Sequence, residues 1–144
     1  MFKLQTDYAL RTLIYLARAD RRATVAEIAA DYGISRDHLF KVVQQLVRMG
    51  FVVSHPGRKG GVRLGRDADS IRCGDVVAGF EGRNGLLPWV IGAEGAPPDD
   101  AVRAIRDAIN RAEDAMYDTL ERVTIADLAV QRAPVAPRGA SAVA

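Results

Sequence analysis

Between Thr24 and Gly50 the chain writes two helices with only a few residues between them. In "TVAEIAADYG", Thr24 is followed three residues later by Glu27. That is the spacing of a capping box, in which each residue's side chain satisfies the other's orphan backbone donor. Val25, Ile28 and Ala29 form the apolar side of this helix. Gly33 suits the left-handed backbone that ends it. Ile34 alone separates Gly33 from Ser35, a second capping residue. "RDHLFKVVQQLVRMG" then runs as a helix with Leu39, Val42, Val43 and Leu46 inward and Gly50 as its stop. Two capped helices meeting across "YGIS" have the layout of a helix-turn-helix. The second helix turns Arg36, Asp37, His38, Lys41, Gln44, Gln45 and Arg48 outward, a set dominated by cations and hydrogen-bond donors.

Phe51 to Ser54 and Val62 to Leu64 read as two short strands joined by a glycine-rich turn. Gly57, Gly60 and Gly61 permit positive φ and close backbone approach. Arg58, Lys59 and Arg63 fall at or beside the tip. The segment lacks the GxxxxGK[ST] spacing of a phosphate loop, and no helix follows it. A helix-turn-helix followed by a hairpin is a winged helix. Ahead of it, residues 7–19 place Leu10, Leu13, Ile14 and Ala17 on one helical face, with Thr6 as the expected cap.

The remainder divides by pattern. Residues 74–81, "GDVVAGFE", make a short amphipathic helix. Residues 82–98 show no period, and Leu86, Leu87, Trp89, Val90 and Ile91 cluster around Pro88. This cluster is expected to plug the junction between the reader and the next helix. A second reading makes Leu86, Leu87, Trp89 and Ile91 an effector pocket for a small molecule. From Asp99, a stripe of Val102, Ile105, Ile109, Ala112, Met116, Leu120 and Val123 steps by three or four. A stripe that long calls for a partner helix, against the alternative of an ordinary core helix. Thr124 caps a last turn, "IADLA", and the Pro/Ala/Gly-rich tail from Gln131 is expected to be flexible. The expected organisation is a reader domain at 1–66, a short helix and sensor-position loop at 67–98, a dimerisation helix and terminal turn at 99–130, and a tail at 131–144.

Charge supports a polyanionic partner. Residues 1–66 hold 12 Lys or Arg against 5 Asp or Glu, whereas residues 67–144 hold 8 against 13. The front half is therefore the end expected to meet nucleic acid. A single cysteine, Cys73, forms no internal disulfide and fits an intracellular, cytoplasmic protein. The thiol reads as packed rather than redox-active. No run has the length and apolarity of a membrane span. The sequence carries no paired carboxylates on a helix, no metal-spaced His/Cys set and no nucleophile motif, so an enzyme is not expected.

"TDYALR", "TVAEIAADYGISRDHLFKVVQQLVRMGFV", "GRKGGVRLG", "GDVV" and "TIADL" recur in the same order in a family that the chain resembles over about residues 1–130. It is that of the bacterial winged-helix regulators that include the nitric-oxide-sensing repressor NsrR and the iron–sulfur regulator IscR. The resemblance implies a mainly α fold: a winged helix-turn-helix domain with a two-stranded wing plus a long C-terminal dimerisation helix. It implies a homodimeric repressor on a palindromic operator of double-stranded DNA, with the recognition helix in the major groove and the wing along the minor groove. The expected DNA contacts are Tyr8, Ser35, Arg36, His38, Lys41, Gln44, Arg58, Lys59, Gly60, Gly61 and Arg63. Many relatives hold an iron–sulfur cluster on three cysteines of the loop before the long helix. Here residues 82–98 contain none. Asp7 matches an acidic cluster ligand of NsrR-like members, but without thiolates it is expected to stabilise the start of its helix. The expectation is a regulator without a conventional cluster and with no resident cofactor or metal. Two alternatives stay open: a nitric-oxide or redox sensor with an atypical cluster, and a winged-helix module that binds protein instead of DNA.

Overall fold

In the computed structural model, which describes residues 2–82 and 99–130, the first helix starts earlier than its cap signal predicts. α1 spans Leu4–Ala19, with Lys3 as its N-cap. Thr6 lies inside the helix, fully buried, and its hydroxyl donates to Glu81. The sequence offered Thr6 as a cap because a hydroxyl next to an acidic residue is a local signal. The partner that claims it stands 75 residues away. The Lys3 amide also donates to Glu81, at 2.6 Å. Asp7 sits in the first turn and accepts from Arg11 at 3.0 Å.

α2 (Val25–Tyr32) and α3 (Arg36–Arg48) follow as the helix-turn-helix. Both halves of the capping box form: the Glu27 amide donates to Thr24 Oγ1 at 3.1 Å, and the Thr24 amide to Glu27 Oε2 at 3.3 Å. Arg21 pairs with the same carboxylate and holds it below the usual carboxylate range. Gly33 ends α2 at φ 65°. Ser35 occupies the cap position of α3, but its side chain makes no cap bond. α3 gives way at Gly50, φ 77°, where the Phe51 amide reaches back to the Leu46 carbonyl at 3.0 Å.

The wing is an antiparallel pair, β1 (Val52–His55) and β2 (Gly61–Leu64), in the register Val52 to Leu64 and His55 to Gly61. Val62 also bridges to Ala23, exchanging both backbone bonds at 3.0 and 2.8 Å. That contact stitches the wing to the residues just before α2. It explains Gly61, whose φ is 140° and whose added Cβ would lie 2.8 Å from the Ala23 carbonyl oxygen. Gly61→Ala is expected to destabilise the protein by about 2 kcal/mol, through backbone strain and this clash. Chemical denaturation measures it, and unchanged stability would show that the wing is not clamped here.

A 3₁₀ turn at Ala68–Ser70 leads to α4 (Cys73–Glu81). α5 spans Asp100–Glu121, with the Asp99 side chain accepting from the Val102 amide at 2.8 Å. The short α6, Ile125–Val130, opens on a reciprocal pair: Thr124 N to Asp127 Oδ2 at 2.9 Å, and Asp127 N to Thr124 Oγ1 at 3.1 Å. α6 lies along α1, and Arg18 donates to the carbonyls of Ala129 and Leu128. Backbone bonds from Cys73 to Val123 and from Ile125 to Ile71, both 2.9 Å, tie this end of the chain to the start of α4. The core runs through all of these pieces, from Leu13, Leu16 and Ile28 through Leu39, Leu46 and Val52 to Ile71, Val76 and Ile125.

Only one end of α5 joins that core. Tyr117 is its one buried residue, while Leu120 and the following Val123 pack against the core. These two members of the stripe are therefore engaged within the protomer. The reason is the return of the chain into α6, which the stripe's spacing does not encode. Farther along, Ile105 is 56% exposed and Ala112 exposed, with Val102, Ile109 and Met116 half-buried. The expected cluster at Leu86, Leu87, Trp89 and Ile91 and the tail at 131–144 lie outside the described residues. Among the described residues no helix is long and apolar enough to cross a membrane.

Candidate nucleic-acid interface

α3 owes its orientation to four buried side chains. Leu39, Val42, Val43 and Leu46 are all less than 5% exposed and pin one face to the core. At 100° per residue this forces Asp37, Lys41, Gln44 and Arg48 to the centre of the opposite face. Arg36, Phe40 and Val47 occupy one flank and His38 the other. All eight are exposed. Gln45, which the sequence placed with them, turns away and donates to the Gly79 carbonyl at 3.1 Å. Among the described residues the ion pairs involve Lys3, Arg11 and Arg21, none of them on this face. Arg36, Lys41 and Arg48 thus have no carboxylate partner among the described residues.

The wing supplies a second cationic element. Arg58 and Lys59 are exposed at its tip. The turn closes through the Gly60 amide donating to the Gly57 carbonyl at 2.9 Å, with Gly57 at φ 105°. Gly60 and Gly61, expected as DNA contacts, have an intramolecular reason to be glycine. A Cβ on the first would meet the His55 carbonyl, and on the second Ala23. Arg63 opposes Val53 in the register, and both are exposed. Arg63 joins Arg21, Arg22 and Arg66 around a hollow of about 630 Å³ beside the end of α1. Arg66 lies over the Phe51 ring at 4.9 Å. His55 Nε2, at the turn end of β1, is enclosed without a hydrogen-bond partner among the described residues. Burial and the nearby Arg22 and Arg63 push its pKa down.

Tyr8 belongs to α1 and is half-buried against the core, which makes its ring a packing group first. The sequence reading did not single out Phe40, which is 51% exposed on the outward side of α3. Arg22 and Arg66 were also not singled out. The +7 balance of the front half was the only signal that covered those two.

A thiolate cluster does not fit this chain. It has one cysteine. That thiol is 3% exposed in the core, and burial and Asp127 push its pKa up. Among the described residues no three His, Cys, Asp or Glu side chains are grouped to hold a metal. Asp7 is occupied with Arg11.

The architecture has solved counterparts. The chain is similar to CymR (YrzC), the global cysteine regulator of B. subtilis, at 27% identity and a TM-score of 0.74, covering 92% of this chain and 98% of that one. It is similar to Staphylococcus aureus CymR at 28% identity and 0.71, covering 91% and 99%. The fold is shared with T. potens IscR at 18% identity and 0.70, covering 92% of each chain. The family model Rrf2, described as "Iron-dependent Transcriptional regulator", matches residues 2–131. A winged helix with a cationic outward face, matched by that model over residues 2–131, makes this chain a member of the Rrf2 family of transcriptional regulators.

Proposed function

We propose that two copies of this chain clasp through α5 and repress transcription by occupying a palindromic operator, each placing α3 in the major groove and its wing on the backbone or minor groove. The observation that carries this reading is the outward face of α3, where exposed cations without an ion-pair partner among the described residues, and an amide, stand opposite a fully buried apolar face. Such groups donate to phosphates and base edges. Arg58, Lys59 and Arg63 serve as backbone contacts, with Arg22 and Arg66 extending that track. The stripe of α5 from Val102 to Met116, only partly covered in the protomer, supports the clasp.

A regulator built this way carries no three-cysteine cluster, so its signal enters by another route. α4 offers one. Its Gly79 carbonyl accepts from Gln45 of α3, and Met49, just after α3, sits where a Gly79 side chain would be. A small-molecule effector bound at Leu86, Leu87, Trp89 and Ile91, which follow α4 in the sequence, would act on α3 through this contact, provided that it favours one arrangement over another.

Electrostatics provides the test. A dimer that neutralises about seven phosphates gives a log–log slope of affinity against salt near −6. Fluorescence anisotropy on a duplex selected in vitro and on a random duplex measures it. A flat salt response on both would remove the DNA reading in favour of a protein partner.

A further inference from the structure

We infer that Phe40 is a base reader: its ring packs against the 5-methyl group of a thymine in the major groove, and so sets a sequence preference that the surrounding cations alone do not give. This rests on the DNA reading above. Half of the ring is open to solvent in the protomer, although the core that buries Leu39 and Val43 lies immediately beside it. It lines an apolar groove of about 370 Å³ between α3 and the wing, with Val25, Val43, Val47 and Val62. Gln44, Arg48 and Ser54 border the same groove.

The setting identifies the occupant. Arg36 lies one turn before Phe40 on the same flank, and Lys41 and Gln44 adjoin it. A purely apolar partner would have to desolvate these cations without pairing them. A duplex offers phosphates to the cations and, within the same groove, one apolar group, the thymine methyl. Apolar side chains recognise that methyl, and glutamine recognises adenine through two hydrogen bonds. Phe40 and Gln44, four residues apart on one helix, therefore match the two bases of an A·T pair or of adjacent A·T pairs.

Removing the methyl without changing the base pair tests this. Duplexes are selected from a randomised pool with the full-length protein, and each symmetry-related pair of thymines is then replaced by deoxyuridine, one pair at a time. Wild-type protein is expected to lose roughly fivefold or more in affinity at one symmetric pair of positions, because one buried methyl is lost in each half-site. Phe40→Ala is expected to bind the thymine duplex more weakly and to treat thymine and uracil alike there. Phe40→Leu retains part of the discrimination, and Lys41→Ala retains all of it. Because Phe40 is exposed, its variants should unfold at the wild-type temperature. Overturning results are a wild-type protein indifferent to every uracil, or a Phe40→Ala protein that still discriminates. Either leaves DNA binding intact and sinks only this assignment. A pool that yields no enriched duplex and no salt-dependent binding sinks the DNA reading and this assignment together.

Discussion

Replacing Ile105 and Ile109 together by glutamate is expected to give a folded protomer that no longer pairs. In the protomer Ile105 faces solvent and Ile109 is half-buried, so neither substitution opens the core. In a dimer closed along α5 both would be covered in each copy. Fully burying one such side chain is worth about 1.5–3 kcal/mol, and about half of that remains to be gained here, so losing four per dimer costs about 3–6 kcal/mol, roughly 10²- to 10⁴-fold in the dissociation constant. The introduced carboxylates add desolvation and mutual repulsion. Sedimentation equilibrium should find the wild type dimeric and the variant monomeric at the same concentration, with helical circular dichroism unchanged. A variant that dimerises as tightly as the wild type would move the clasp elsewhere.

The second large effect concerns the reader. Arg36→Ala combined with Lys41→Ala is expected to remove the first two outward cations of α3 while leaving its fold unaltered, because both side chains are exposed and neither forms an ion pair among the described residues. A base contact is worth about 1–3 kcal/mol of discrimination. Counting one such base contact per half-site, lost in both half-sites of a two-fold duplex, specific affinity should fall by roughly 30-fold to 10⁴-fold. Arg58→Ala with Lys59→Ala should instead weaken selected and random duplexes alike and flatten the salt slope. Comparing both variants on both duplexes separates reading from adhesion. If the α3 variant binds the selected duplex as the wild type does, the helix is not the reader.

What was legible in the sequence was what local chemistry dictates. The Thr24–Glu27 box, the left-handed Gly33, the Gly50 stop and the inward residues of α3 all depend on neighbours within a turn or two, and they appear as expected. The wing was legible for the same reason. Ala23 was not, because a single bridging residue has no alternation to display. Thr6 shows the opposite failure, since a residue with good local credentials as a cap is claimed by Glu81 across the fold. The stripe after Asp99 carries the right period, but period alone does not divide Ile105, left open, from Leu120 and Val123, drawn into the core by the return of α6. Phe40 escaped because an apolar residue beside a buried face reads as part of that face until its exposure is known.

The central claim is that α5 holds two reader faces on one duplex. Analytical ultracentrifugation of the protein on a duplex selected in vitro, with wild type and the Ile105→Glu, Ile109→Glu variant side by side, tests it most directly. The account predicts two wild-type protomers per duplex bound as a unit, and a variant that binds singly and far more weakly. A wild-type complex of one protomer per duplex, or a variant that still binds as a pair with undiminished affinity, would contradict it.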